Sequence, residues 1–245
     1  MLDFNSTTHF SERFEALIDA GLQAREQQQT RRRYLGASRL GASCERQLQY
    51  EYAQAPVDPD KGFSGRILRI FERGHRTEDA FVGWLRAAGF ILKTEGKDGQ
   101  QFGFSVADGK LQGHCDGVFV DGPEGFAYPA LWEAKCLGQK GFSALKKSGL
   151  AVAKPVYAAQ VAIYQTYLGL HDNPAIFTAV NADTMEIYAE LVPFDATLAQ
   201  KMSDRAVRVI QATEAGELLP RSFAQADHFE CRFCSYAQRC WGGAV

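Results

Sequence analysis

Two short segments of the chain carry acidic and basic side chains at a spacing suited to phosphodiester hydrolysis. Residues 113–120 read GHCDGVFV and residues 130–136 read ALWEAKC. Because side chains alternate along a strand, Glu133 and Lys135 share one face of the second predicted strand. The turn-forming run at 121–125 predicts a hairpin that brings Asp116 beside them. Two carboxylates and one lysine at one point can hold a divalent cation and activate a water molecule.

The carboxylates of Asp116 and Glu133 are oxygen donors, and such donors favour Mg²⁺ or Mn²⁺. Lys135 would lie beside the ion, where its ammonium can orient the attacking water or stabilise charge on the phosphate. The alternative is a solvated salt bridge on the hairpin, because exposed ion pairs are common. The elements that would surround the hairpin favour the catalytic interpretation, with Lys135, Asp116 and Glu133 as catalytic residues.

A helix predicted over residues 64–88 would supply the next site residues. His75 and Glu78 are three residues apart, so they share one face of this helix, and the apolar residues near them suggest that the face looks inward. His75 would add a nitrogen ligand to the metal and shift the preference toward Mn²⁺, or it is a hydrogen-bonded core residue. Glu78 could orient His75, touch a second metal, or only pair with Arg76. The apolar positions of this helix are Ile67, Phe71, Phe81, Trp84, Leu85 and Ala88.

A second helix, predicted over residues 155–170, carries a polar and aromatic edge. Pro155 suits its first turn, and Gly169 lies at its end. Gln160 and Tyr164 are one turn apart and therefore neighbours. One interpretation is a core helix with aromatic packing. The other places the edge at the cleft, where Gln160 hydrogen-bonds a strand and Tyr164 contacts a phosphate or stacks on a DNA base.

The six cysteines need an explanation other than disulfides. No segment resembles a secretory signal or a membrane span, so we expect a cytoplasmic, reducing environment in which disulfides are rare. Three clustered thiols near the C-terminus suggest a metal centre, with Cys44 as the best fourth ligand. One remote cysteine with three local ones favours a 4Fe-4S iron–sulfur cluster, and zinc is the alternative. The predicted ligands are Cys44, Cys231, Cys234 and Cys240; Cys115 and Cys136 are expected to be small buried residues.

Charge limits how the chain could contact nucleic acid. The net charge of −2 argues against a surface that binds nucleic acid everywhere, so contacts must come from local patches. Lys140, Lys146, Lys147 and Lys154 follow the Glu133–Lys135 strand, which would place them at the rim of the cleft as phosphate contacts. Arg66, Arg69 and Arg73, on the helix that carries His75, would continue this basic track.

The 245 residues contain no repeats or low-complexity segments and predict a single domain. Residues 64–195 would form an α/β catalytic core, and residues 1–63 and 196–245 a helical cap from both termini. Further helices are predicted over 10–33 and 195–216, and strands over 90–95, 101–106, 174–181 and 185–192. Segment 53–63 reads as a loop, and 220–245 as an irregular tail that a metal centre would order.

Taken together, these motifs resemble the PD-(D/E)xK nuclease superfamily, and specifically its RecB-like branch. The match runs from His75 through Asp116, the Glu133-x-Lys135 motif and Gln160-x3-Tyr164, and the four cysteines resemble those of iron–sulfur members. No single motif is specific, but five occur in the expected order. That group includes CRISPR-associated spacer-adaptation nucleases and the nuclease domains of bacterial recombination helicases.

The resemblance implies a restriction-endonuclease-like fold, with a central mixed β-sheet flanked by helices. It implies a metal held by His75, Asp116, Glu133 and the backbone carbonyl of Ala134, with Lys135 as the catalytic lysine. It also implies that Gln160 and Tyr164 belong to a helix that contacts DNA and that the cluster is structural.

We therefore predict a metal-dependent DNA exonuclease that prefers single strands and acts in recombination, repair or CRISPR spacer adaptation, with DNA and proteins of those processes as partners. One alternative is a non-catalytic module that binds DNA ends within a recombination complex. Another is a restriction endonuclease, although the chain has no separate recognition domain.

Overall fold

The computed structural model describes residues 7–96 and 99–242 of the chain. Residues 1–6 and 243–245 of the predicted cap lie outside this range. The elements are α1 (Thr7–Gln27), β1 (Leu35–Gly36), the 3-10 helix η1 (Ala37–Arg39), α2 (Glu45–Tyr52), α3 (Gly65–Ala87), β2 (Ile91–Lys93), β3 (Gly103–Val106), β4 (Leu111–His114), β5 (Gly117–Asp121), β6 (Ala130–Leu137), α4 (Gln139–Ala153), α5 (Pro155–Tyr167), β7 (Ala175–Asn181), β8 (Ile187–Val192), α6 (Ala196–Glu214), α7 (Phe229–Arg232) and α8 (Ala237–Trp241).

A five-stranded mixed sheet forms the centre of the molecule, with the strand order β2-β5-β6-β7-β8. β6 and β7 are parallel, which requires a crossover, and α4 and α5 supply it. The other neighbouring pairs are antiparallel. The predicted hairpin is confirmed, because β5 and β6 pair with Gly117 opposite Trp132. The predicted mixed sheet flanked by helices is therefore confirmed as well.

The prediction of one continuous strand over 113–120 is wrong. The chain leaves a three-stranded sheet of order β1-β4-β3 after His114 and enters the central sheet at Gly117. Cys115 and Asp116 form the break between the two sheets. Phe102 accepts a hydrogen bond from the Cys115 amide, and the Gln101 side chain donates to the Cys115 carbonyl at 2.9 Å. The alternation of side chains expected of a strand continues through Cys115 and Asp116, so the sequence gives no sign of the break.

The central sheet is covered on both faces. On one face, Phe81 of α3 packs against Trp132 with ring centroids 5.8 Å apart, in a core that also contains Phe119. On the other face, α5 and α6 pack over a larger core that includes Leu131, Ile163 and Phe177. Burial on both faces explains why β7 is apolar along nearly its whole length.

Several predicted helices differ from the observed ones at their ends. The helix predicted over 10–33 ends at Gln27, so the three arginines at 31–33 lie outside it. The predictions for 64–88, 155–170 and 195–216 are confirmed as α3, α5 and α6, within a few residues at each end. α2 and α4 are not among the predicted elements. α4 bends at Gly149, whose positive φ of 70° suits a residue without a Cβ.

The segments on either side of the core contact each other directly. The Gln49 side chain donates to the Glu217 carbonyl at 2.6 Å and accepts from the Leu219 amide at 2.9 Å. Asp58 accepts a hydrogen bond from the Gln238 amide at 2.5 Å, at the start of α8. Within the described part of the chain, no helix is both long enough and apolar enough to span a bilayer.

Candidate active site

Asp116, Glu133 and Lys135 come together as the sequence predicts. The Lys135 ammonium donates to Glu133 Oε1 in a short contact and lies 3.8 Å from Asp116 Oδ2. It also donates to the Ala134 carbonyl at 3.0 Å. Asp116 Oδ2 accepts a hydrogen bond from the Ala134 amide at 2.7 Å. Two carboxylates, one ammonium and one backbone carbonyl therefore converge at the middle of β6.

Strand geometry explains this convergence. Leu131 and Leu137, at even spacing from Glu133 and Lys135, belong to the core under α5, so the four side chains share that face. Asp116 immediately precedes β5, the antiparallel neighbour of β6. The break between the two sheets frees its side chain to accept the Ala134 amide, which the ladder would otherwise satisfy.

Glu133 is the electrostatic centre of the site. Its side chain is 0% exposed, and burial, followed by repulsion from Asp116, raises its pKa to about 8. Oε1 accepts from both Lys135 and Gln160. Among the described residues, Oε2 has no hydrogen-bond partner. A buried carboxylate oxygen without a partner is costly, and a bound cation would remove that cost.

Lys135 keeps its charge in this environment. Burial lowers its pKa, but the carboxylates of Glu133 and Asp116 raise it by more, so the net shift is upward. The ring of Tyr157 lies 5.3 Å from Nζ and adds a cation–π contact. A permanently charged lysine suits charge stabilisation better than proton abstraction.

The two predicted site residues of α3, His75 and Glu78, lie in different environments. Burial and the charge of Asp116 raise the pKa of Glu78 to about 7, which places it within electrostatic reach of the site. His75 is exposed on the same helix. Glu78 lines a small cleft over Ala134 and Lys135, together with Gly74 and Thr77. The prediction that this helix face looks inward therefore agrees with the position of Glu78 and is wrong for His75.

Gln160 and Tyr164 lie behind Glu133 instead of on the surface. The Gln160 amide donates to Glu133 Oε1 at 2.6 Å, which agrees with the predicted hydrogen bond to a strand. Tyr164 is 2% exposed, hydrogen-bonds Gln160, and packs edge-on against Phe104 at 5.9 Å. At that burial, a direct contact of Tyr164 with a base or phosphate is not available, so this part of the prediction is wrong. Gln160 and Tyr164 instead support the carboxylate.

Three of the four lysines predicted at the rim, Lys140, Lys146 and Lys147, are exposed, and Lys154 is half-buried. Lys140 and Lys147 lie on α4, directly after β6. Lys146 pairs with Glu186 at 3.2 Å, and this pairing reduces the positive charge that it offers to a phosphate. Their role in binding DNA stays a prediction.

Four of the six cysteines gather where the two ends of the chain meet. Cys44 precedes α2, Cys231 lies on α7, and Cys240 lies on α8. Burial raises the pKa of Cys234, and the thiols of the other three add to the shift, so the four groups interact. The thiol of Cys240 also accepts from Arg46 at 3.8 Å. Their assignment as cluster ligands stays a prediction.

The two remaining cysteines have different environments. Cys115 is fully buried, as predicted, and burial raises the pKa of its thiol to about 12. Cys136 is half-buried and lines the cleft opposite Gly74 and Thr77, so the expectation of a buried residue is wrong for it.

No set of three or more His, Cys, Asp or Glu side chains within residues 7–96 and 99–242 is already arranged as a metal-binding group. The donor chemistry around Glu133 nevertheless fits a hard divalent cation. Asp116 and Glu133 are oxygen donors, Glu78 lies near them, and Glu133 Oε2 has no described partner.

Gly74, Thr77 and Gln101 lie near the site but are not among the predicted site residues. Gly74 and Thr77 line the cleft. Gly74 is four residues from Glu78 and Thr77 is three residues from Gly74, and this helical spacing is the signal that identifies them. Gln101, which holds the break residue Cys115, has no recognisable sequence signal.

Comparison with known proteins identifies relatives by structure and not by sequence. No family model and no curated protein matches the chain. The crystal structure of SSO0001 matches with a TM-score of 0.52 at 15% identity, over 96% of this chain and 98% of that chain. An alkaline exonuclease, LHK-Exo from Laribacter hongkongensis, matches with a TM-score of 0.52 at 14% identity, over 76% of this chain and 90% of its own. Its complex with dAMP matches with a TM-score of 0.51 at 15% identity, over the same shares. At these identities the likeness establishes a shared fold.

Proposed function

We propose that this protein is a divalent-metal-dependent DNA nuclease of the PD-(D/E)xK type. The observation that carries the proposal is the buried Glu133, whose Oε2 has no described partner and which shares a point of the sheet with Asp116 and Lys135. The fold shared with an alkaline exonuclease supports the same conclusion. A buried cluster of two carboxylates and a lysine, with a third carboxylate nearby, is costly to maintain without a function.

Asp116 and Glu133 would hold the divalent cation, with the Ala134 carbonyl, Glu78 and His75 as candidate further ligands. When bound, such an ion polarises the phosphate and lowers the pKa of a coordinated water. Asp116 is already fixed by the Ala134 amide, so its orientation needs no rearrangement of the backbone.

Lys135 would stabilise negative charge on the phosphate during attack, because its ammonium stays protonated and borders the carboxylates. Gln160 is a positioning residue: by donating to Glu133 Oε1 it leaves Oε2 as the free oxygen. Tyr164 in turn fixes Gln160. Such supporting contacts typically change metal affinity or activity by about 10- to 100-fold.

We further propose that the substrate is DNA and that the enzyme degrades it from an end, with a preference for single strands. The likeness to an alkaline exonuclease, one structure of which is a complex with dAMP, supports the degradation of DNA from an end. A role in recombination, repair or spacer adaptation, with partner proteins that unwind the DNA, is part of the same proposal.

The four-cysteine centre is proposed to hold an iron–sulfur cluster, with zinc as the alternative. The electrostatic contact among the thiols and the hydrogen bonds between α2 and the C-terminal segment support a shared site. Such a centre would join the two ends of the chain and act structurally. A brown protein that contains iron and sulfide would agree with the cluster, and a colourless one with stoichiometric zinc would overturn it.

An end-labelled time course tests the proposed nuclease. Single- and double-stranded DNA are incubated with Mg²⁺ or Mn²⁺, using the wild type and Asp116→Asn. We expect metal-dependent loss of label from the wild type alone, with mononucleotides as the early product of an exonuclease. Early internal fragments would instead show an endonuclease. If wild type and variant both bound DNA and neither cleaved it, the protein would be a DNA-end-binding module.

A further inference from the structure

The first half of α3 leaves an apolar face uncovered. Phe81, further along the helix, is buried against the central sheet. Ile67, Ile70 and Phe71 are exposed, although the sequence predicts a helix face that looks inward. The first half of α3 therefore lies beyond the part of the helix that packs on the central sheet.

This uncovered face is continuous with the face that lines the active site. Ile67, Ile70 and Phe71 precede Gly74, Thr77 and Glu78 by seven residues each. Seven residues are close to two full turns, so each pair lies on one side of the helix, about 11 Å apart along its axis. Because Gly74, Thr77 and Glu78 line the cleft over Lys135, the exposed apolar face is the extension of that cleft.

α1 supports this part of α3 from behind. Arg69 of α3 forms ion pairs with Asp19, through a short contact, and with Glu15 at 2.6 Å. Gly65 packs so closely on Asp19 that a Cβ would overlap its backbone. Arg69 and Gly65 lie on the side of α3 opposite to Phe71 and Ile67, by helical spacing. The apolar face is thus held in place from the back and left open toward the cleft.

Charge on the flank of this face favours a nucleic-acid occupant. Arg66 and Arg73 are seven residues apart and exposed, and both lie beside Ile70 on the helix surface. Phe63, exposed just before the helix, packs edge-on against Phe71 with centroids 5.1 Å apart. By helical spacing, Phe71 lies at one edge of the apolar face, and Arg66 and Arg73 lie beyond its other edge, next to Ile70. A single strand that crosses this face would meet aromatic rings on one side and cations on the other, the two kinds of group that bind bases and phosphates.

We propose that Phe63, Ile67, Ile70 and Phe71 form a stacking surface for single-stranded DNA, with Arg66 and Arg73 as phosphate contacts. This inference rests on the proposed nuclease function, because it takes the cleft over Lys135 as the point of cleavage. At about 3.4 Å per stacked nucleotide, the 11 Å between Phe71 and Glu78 corresponds to about three nucleotides. The surface would therefore contact the strand about three nucleotides from the phosphate that lies nearest Glu78.

The direct test measures binding separately from cleavage. Fluorescein-labelled oligothymidylate of about twelve nucleotides is titrated with Asp116→Asn protein, and fluorescence anisotropy gives the Kd. In that background, Phe71→Ala is expected to weaken binding about tenfold, the effect of one stacked base. Phe71→Trp, which keeps an aromatic ring, should retain the affinity. Unchanged binding by Phe71→Ala, or a loss in Phe71→Trp as large as that in Phe71→Ala, would overturn the proposal.

Two phenylalanines serve as matched controls. Phe126 is 44% exposed, close to the 45% of Phe71, and it also packs against one neighbouring ring, that of Phe90. Phe14 is exposed on α1, away from the side that pairs with Arg69. We expect Phe126→Ala and Phe14→Ala to leave the Kd within twofold. If either control weakened binding as much as Phe71→Ala, the assignment of this face would be wrong.

The arginines and the oligomeric state complete the test. For single strands, removing one cation that meets a phosphate should reduce the slope of log K against log salt by about 0.7, which we expect for Arg66→Ala and for Arg73→Ala. A second copy of the chain is the competing occupant of this face. If Phe63→Ala with Phe71→Ala dissociated an oligomer while DNA binding stayed unchanged, the stacking surface would be disproved.

The outcomes separate this proposal from the proposed nuclease. Wild-type cleavage together with unchanged binding by Phe71→Ala would remove the stacking surface and keep the enzyme. Weakened binding by Phe71→Ala in a protein that never cleaves DNA would keep the surface and remove the enzyme.

Discussion

The active site and the cysteine region are organised in opposite ways. Asp116, Glu133 and Lys135 are positioned by strand pairing and by packing on both faces of the central sheet. The cysteines lie on short helices and half-exposed segments near both ends of the chain. The comparison indicates that strand pairing and packing position the three charged residues of the proposed active site, whereas the proposed cysteine centre would need a bound ligand to complete it.

The largest expected effect is on the rate of DNA cleavage when Lys135, on the central sheet, is replaced. Lys135→Ala should reduce cleavage of DNA by about 10³-fold, because the variant lacks the ammonium that faces the developing charge. Initial rates on single-stranded DNA with saturating Mn²⁺ measure this. The exposed Lys147→Ala is the control and should change the rate less than threefold. A Lys135→Ala rate near the wild-type value would show that this lysine is not catalytic.

A smaller loss of activity is expected for a substitution of Gln160, which lies behind Glu133. Gln160→Leu should lower the rate about 10- to 100-fold, because Glu133 Oε1 loses the hydrogen bond that orients the carboxylate. The loss should decrease as Mn²⁺ is raised if the variant mainly binds the ion more weakly. A metal-independent loss, with the fold intact by circular dichroism, would contradict that positioning role. Gln165→Leu is an unsuitable control, since Gln165 is itself fully buried.

A substitution in the cysteine region should change the stability of the protein more than its catalytic rate. Cys234→Ser should lose the bound metal and lower the free energy of unfolding by about 2–4 kcal/mol, because the centre joins both ends of the chain. Metal analysis and denaturant titration measure the two effects. Cys136→Ser, outside the proposed ligand set, should keep the full metal content. Equal metal content in Cys234→Ser and the wild type would contradict the four-cysteine centre.

The smallest effect is predicted for the stability of the metal-free protein, through the ionisation of Glu133. The pKa of Glu133 is raised from 4.5 to about 8, so the folded state binds its proton more tightly than the unfolded state does. Its contribution to stability is therefore present at low pH and is lost as the pH rises from about 4.5 through about 8.

Glu133→Gln removes this titration while keeping the shape of the side chain. In metal-free buffer near pH 8.5, it should raise stability by about 1–2 kcal/mol, or a few degrees in Tm. At pH 5 the difference should be small. Scanning calorimetry at the two pH values measures it, and a variant less stable than the wild type at pH 8.5 would contradict the cost assigned to the buried charge.

The sequence predicts the chemistry of the site better than its surroundings. Glu133 and Lys135 could be placed on one face because alternation along a strand is a local property. The break at Asp116 could not be predicted, since it depends on two sheets that compete for adjacent residues. The burial of Tyr164 depends on Phe104, which is distant in sequence, so spacing could not distinguish a core position from a cleft edge.

Helix α3 shows the same limit. Its periodicity predicts one apolar face, and Phe81 and Phe71 both satisfy the pattern. Phe81 meets the sheet, whereas Phe71 lies beyond it. How far a helix extends past its sheet depends on tertiary packing and not on the periodic pattern. Phe71, which the pattern predicts as a core residue, is therefore exposed and is a candidate contact for DNA.

The most direct measurement is the rate of DNA degradation as Mn²⁺ is titrated, for wild type and Asp116→Asn side by side. We expect a saturable, metal-dependent rate for the wild type and a loss of about 10³-fold or more for the variant, whose carboxamide is a weaker ligand than a carboxylate. We also expect unchanged secondary structure in the variant. Equal rates for the two proteins, or degradation by the wild type in the presence of excess chelator, would contradict the claim that this carboxylate site hydrolyses DNA.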